Sequence, residues 1–98
     1  MKEAQLLEYF LDASSNDPRI GPVHISLYVA LHHSWNQHGC LSPFAISTPE
    51  IMKTSRIYAR TTYNKIMKEL NAYGYIRYLP SKYALKQSMV HLPFKYST

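Results

Sequence analysis

The sequence predicts an α+β domain, mainly helical, with three to four helices and a C-terminal β-hairpin. Three observations predict it. Residues 47–73 carry two successive helix signals, the second with apolar residues three and four apart. Gly74 stops that second helix, and Tyr75-Ile76-Arg77-Tyr78-Leu79 has the β-branched and aromatic content of a strand. An extended pattern resumes at residues 88–94, where Val90, Leu92 and Phe94 alternate onto one face.

The chain of 98 residues makes one small domain, and its hydrophobic fraction of 46% argues against disorder. Its first element is a short amphipathic helix over residues 3–12, EAQLLEYFLD, with Leu6, Leu7, Phe10 and Leu11 as the apolar side. A helix this short is marginal alone in water and must dock, on its own domain or on a second copy. Residues 13–22, ASSNDPRIGP, read as a loop from their Ser, Asn, Asp, Gly and Pro content. Residues 23–39 form the most apolar helix. Val23, Leu27, Leu31 and Trp35 make a four-residue stripe, widened by Tyr28 and Val29. Phe44-Ala45-Ile46 is a short extended stretch able to pair with the later hairpin.

Ser47-Thr48-Pro49-Glu50 opens the next helix, over about 49–54, with Ser47 as cap and Glu50 placed for a capping box. After a break at 55–58, a longer helix runs over about 59–73. Tyr63, Ile66, Met67, Leu70 and Tyr73 share one face, and Arg60, Thr61, Asn64, Lys65 and Lys68 share the opposite one. Two helices joined by a tight turn, the second presenting Arg, Lys, Thr and Asn, is the helix-turn-helix arrangement. A hairpin over 75–94 after such a pair is the wing of a winged helix, with Lys82, Tyr83 and Lys86 at its tip.

Charge points to the same half. Residues 1–50 hold two Lys or Arg against five Asp or Glu, a net −3; residues 51–98 hold nine against Glu69 alone, a net +8. One-sided positive charge is the footprint of a phosphate-backbone binder, the alternative being a solvated basic face. Double-stranded DNA is therefore the expected partner. Arg60, Thr61, Thr62, Asn64, Lys65 and Lys68 are expected at the groove, and Arg77, Lys82 and Lys86 along the flanking backbone. Asn64 suits adenine, and Arg60 or Lys65 suits guanine. The first helix points to a homodimer, since paired half-sites need two modules. The acidic N-terminal half gives a second reading, an interaction module that recruits a basic replication or recombination protein.

Other classes find little support. His24, His32, His33 and His38 lack the three-or-four spacing of helical zinc ligands and are expected to be partly exposed. No catalytic ordering, glycine loop or cofactor motif occurs, so neither an enzyme nor a cofactor is expected. No apolar run approaches the roughly 20 residues of a membrane span. Absence of a signal-peptide pattern and a single cysteine, Cys40, point to a cytoplasmic protein.

The stretches RIGPVHISLYVAL (19–31), ISTPEIMKTSRI (46–57), RTTYNKIMKELNAYGYIRYLPS (60–81) and SMVHL (88–92) resemble small winged-helix proteins carried on phages and conjugative elements of gut bacteria. Those are themselves similar to MarR-type regulators and to the N-terminal domains of some phage replication organisers. Thr62-Tyr63 and Gly74-Tyr75-Ile76 are the most specific parts. The resemblance implies a winged-helix fold and DNA binding tied to mobile-element regulation, transfer or replication. The chain departs from that pattern at Ala59, where such helices usually carry a Ser, Asp or Asn cap, which leaves the helix start open by one or two residues.

Overall fold

The structure, a computed structural model, describes residues 3–81 and 87–92. Within them the order is α1 (Glu3–Ser15), α2 (Pro22–Gln37), β1 (Phe44–Ile46), α3 (Thr48–Ser55), α4 (Arg60–Ala72), β2 (Arg77–Leu79) and β3 (Ser88–His91). The fold is α+β and mainly helical: four helices and a three-stranded antiparallel sheet. Lys82 and Lys86 lie outside the described residues, as do Tyr83 and Phe94.

α2 is the hub, touching α1, α3 and α4. His24, Leu27, Tyr28, Ala30, Leu31, His32 and Trp35 are buried along it. A spacing of four advances about 40° round a helix at each step, so a strict four-residue stripe drifts away from a fixed core direction. Val23, at the start of the expected stripe, is accordingly exposed. Val29, about 160° from Leu31, faces out as well. The breadth of the buried arc also overturns the expected exposure of two histidines. His24 and His32 are only 9% and 8% exposed, while His33 and His38 lie outside.

α1 runs to Ser15, past the expected end. Ser14 and Ser15 donate their hydroxyls back to the carbonyls of Leu11 and Asp12, at 3.2 and 2.7 Å, so residues that read as loop satisfy the last carbonyls of a helix. Leu6 and Phe10 are fully buried. The Phe10 ring lies flat on Tyr28, centroids 3.7 Å apart, and meets Tyr75 edge-on at 5.3 Å. The apolar side that pointed to a second subunit is thus taken up within the same chain. Leu11, expected on that side, is 41% exposed.

Three helices end in one motif. A residue in the left-handed region donates its N–H to the carbonyl three back, and the next residue donates to the carbonyl five back. After α2 these are Gly39 to Asn36 and Cys40 to Trp35; after α3, Arg56 to Lys53 and Ile57 to Met52; after α4, Gly74 to Asn71 and Tyr75 to Leu70. Gly39 (φ 73°) and Gly74 (φ 88°) fill the position without steric cost, whereas after α3 it is held by Arg56 (φ 62°). Ser47 precedes α3 in extended conformation as expected, but neither it nor Glu50 makes the side-chain bonds of a capping box. Pro49 and the acidic Glu50 in the first turn remain as the start signal.

The sheet order is β1-β3-β2. Phe44 faces Val90 on one side of β3, and Tyr78 faces Val90 on the other. The expected third strand is therefore present, and β2 is shorter than the sequence run, with Tyr75 and Ile76 serving as core rather than strand. Inward Phe44, Ile46, Val90 and Leu92 close the core beneath the helices. Ser42 Oγ accepts from the Leu92 N–H at 2.9 Å, continuing the β1–β3 pairing beyond the ladder.

Candidate nucleic-acid interface

α4 begins at Arg60, one residue after the expected start and within the one or two residues left open, with Ala59 extended in the cap position and making no side-chain bond. At 100° per residue, Arg60, Asn64, Lys68, Thr61 and Lys65 span an arc of about 140°. All five are exposed. Tyr63, Ile66, Met67 and Leu70 are buried on the far side. Burial of the Tyr63 ring pushes its phenol pKa up. Thr62, expected with the five, is half-buried and lies about 60° beyond Lys65, towards the core side. Arg77 is exposed at the start of β2, where it pairs in register with His91. The described structure therefore brings five of the expected residues onto one helix face and adds Arg77 at the sheet; it leaves Thr62 aside.

The arc is electrostatically unopposed. Among the described residues the carboxylates nearest to a basic side chain are Asp17, paired with Arg19, and Glu69, hydrogen-bonded to His24, and neither contact includes Arg60, Lys65 or Lys68. Glu69, the one carboxylate of residues 51–98, is taken up by α2: its Oε1 is 2.7 Å from His24 Nε2. His24 Nδ1 accepts the Gly21 N–H at 3.0 Å, which places the ring proton on Nε2 and makes Nε2 the donor to Glu69. One histidine thereby caps the start of α2 and fixes α4 to it. The carbonyl of the Asn71 side chain accepts the Tyr78 N–H at 2.8 Å, fixing β2 to α4. Glu69 and Asn71, in the last turn of α4, are thus spent inside the domain.

A second cluster anchors the same, C-terminal end of α4. Asp17 accepts from Arg19 Nε at 2.9 Å, from Arg19 Nη2 at 2.8 Å and from the Tyr75 hydroxyl at 2.7 Å. The Arg19 guanidinium sits 4.1 Å from the centre of the Tyr73 ring. These bonds, Arg19 first and Tyr75 second, hold the Asp17 carboxyl well below the usual carboxylate range. Burial, then the bond to Asp17, pushes the Tyr75 phenol up to about 12. Arg19 is committed here and takes no part in the exposed arc of α4.

The α3–α4 connection, just before the start of α4, carries further exposed side chains. Lys53 and Arg56 are exposed, and Tyr58 is 76% exposed. The usable signal was an arginine standing where a helix-ending glycine is usual. Among the described residues, no group of three or more His, Cys, Asp and Glu side chains comes together as a metal site, and no helix is long and apolar enough to cross a membrane. Compared with models of known families, with curated proteins and with solved structures, the chain matches none.

Proposed function

We propose that this chain is a winged helix-turn-helix protein that binds double-stranded DNA selectively, α3 and α4 forming the helix pair and β2–β3 the base of the wing. Its activity is binding rather than catalysis. The observation that carries the reading is the exposed arc of Arg60, Thr61, Asn64, Lys65 and Lys68, free of ion pairs among the described residues, on a helix whose opposite face and far end are fixed to the domain. A cylinder about 10–12 Å across fits a major groove about 12 Å wide. Asn64 then reads adenine, Arg60 or Lys65 reads guanine, and the remaining cations with Arg77 hold phosphates. A regulatory or accessory role on a phage or conjugative element agrees with the resemblance noted from the sequence.

The test is fluorescence anisotropy on labelled duplex over a range of salt. If Arg60, Lys65 and Lys68 each neutralise one phosphate, the triple alanine variant lowers the slope of log K against log salt by about 2.7. Unchanged affinity and slope in that variant remove the reading. Failure of the parent to bind any duplex at low salt leaves the interaction module, for which the exposed Glu8, Tyr9 and Asp12 of α1 are the available surface.

A further inference from the structure

Of the three like helix ends, two place glycine in the left-handed position and one places Arg56 there. A side chain is disfavoured in that conformation; at the matching position the other two ends have glycine, with Cys40 (φ 59°) following Gly39 in the same region. The cation is thus kept at a site where glycine would satisfy the fold better, which points from a backbone outlier to a use for the side chain. Two residues on, Tyr58 is the most exposed large aromatic among the described residues, at 76%. It is not loosely held: Ile57 before it is buried and donates to the Met52 carbonyl at 3.1 Å, and Ala59 after it caps α4. Lys53, one turn back on α3, is exposed too. Lys53 and Arg56 border one hollow with Thr54, His33 and Gln37, and with Glu50 as its only carboxylate.

We infer that the α3–α4 connection is a second grip on the nucleic acid, in which Arg56 and the neutral Tyr58 hydroxyl each hold a backbone phosphate of the strand passing the start of α4. This rests on the DNA-binding reading and adds to it two residues outside the groove-facing arc. A cation and a neutral donor leave different signatures. Arg56 releases a counterion on binding, so its loss changes the salt dependence; the Tyr58 hydroxyl releases none, so its loss changes affinity alone.

The experiment is anisotropy of the full chain on a labelled duplex of mixed sequence, from low to moderate salt, for the parent, Arg56→Gly and Tyr58→Phe. Glycine suits the left-handed position and phenylalanine keeps the exposed ring, so both variants fold, as circular dichroism would verify. Arg56→Gly is expected to lower the salt slope by about 0.9. Tyr58→Phe is expected to weaken binding about three- to tenfold at every salt concentration with the slope unchanged, the worth of one hydrogen bond. If the parent binds duplex and both variants match it in affinity and slope, the second grip is wrong and the groove-facing arc stands. If the parent binds no duplex, both fall together.

Discussion

Replacing Phe10 by alanine tests whether α1 is part of this domain's own core. The ring is fully buried, stacked on Tyr28 and edge-on to Tyr75. Truncation of a buried phenylalanine costs about 3–5 kcal/mol, from lost transfer energy and the cavity left behind. The two aromatic contacts, each worth about 0.5–1.5 kcal/mol beyond area, favour the upper part of that range. A domain of 98 residues has about 5–15 kcal/mol to lose. With a urea m-value of about 1.5 kcal/mol/M, the midpoint should fall by about 2–3 M. Circular dichroism during urea titration at several protein concentrations is the assay. The parent's midpoint is expected to be independent of concentration, because the contacts are within one chain. A fall of under about 0.5 M, or a parent midpoint that climbs with concentration, would refute the intrachain docking and return α1 to the role of a dimerising arm.

Acid and alkali act on one cluster. Asp17 releases its proton more readily folded than unfolded, so its stabilisation is present above its ordinary value of 3.8 and is lost as pH falls below that. Asp17→Asn should therefore flatten the acid limb of a urea-midpoint profile, and an unchanged limb would exclude this carboxylate as its source. Tyr75 runs the other way: stability should fall as pH rises from 10 to about 12, and Tyr75→Phe should remove that loss. Arg56→Gly should raise stability by about 0.5–1 kcal/mol by relieving a left-handed side chain, and a lowered melting midpoint would contradict it. Asn64→Ala should broaden the motif recovered from a random duplex pool while leaving binding to mixed DNA nearly intact; a motif identical to the parent's would take Asn64 out of base reading.

The parts legible beforehand were those governed by local rules. The amphipathic spacing of α4 and the glycine after it are written in consecutive residues, and both fell where expected. So did β1, short as it is. What was not legible depended on contacts between distant residues. His24 looks like a surface histidine until Glu69, 45 positions away, is brought to its ring. Ser47 and Glu50 have capping-box spacing, yet spacing does not make the side chains turn inward. Val23 and Val29 are as apolar as Leu27, and only the direction of the core distinguishes them. On the candidate interface, the exposed arc could be read because it is the complement of an apolar stripe. Tyr58 could not, because an aromatic in a break carries no period from which to infer its side.

The single bond from Asn71 to the Tyr78 amide has a bearing on how the protein behaves at high concentration. β2 forms one border of the sheet, and a border amide left open invites another chain to add a strand. Here that amide is stoppered by the chain's own helix. That bond takes one donor of this border out of reach of a neighbouring chain. A chain with Asn71→Ala should form ordered aggregates sooner than the parent on prolonged storage.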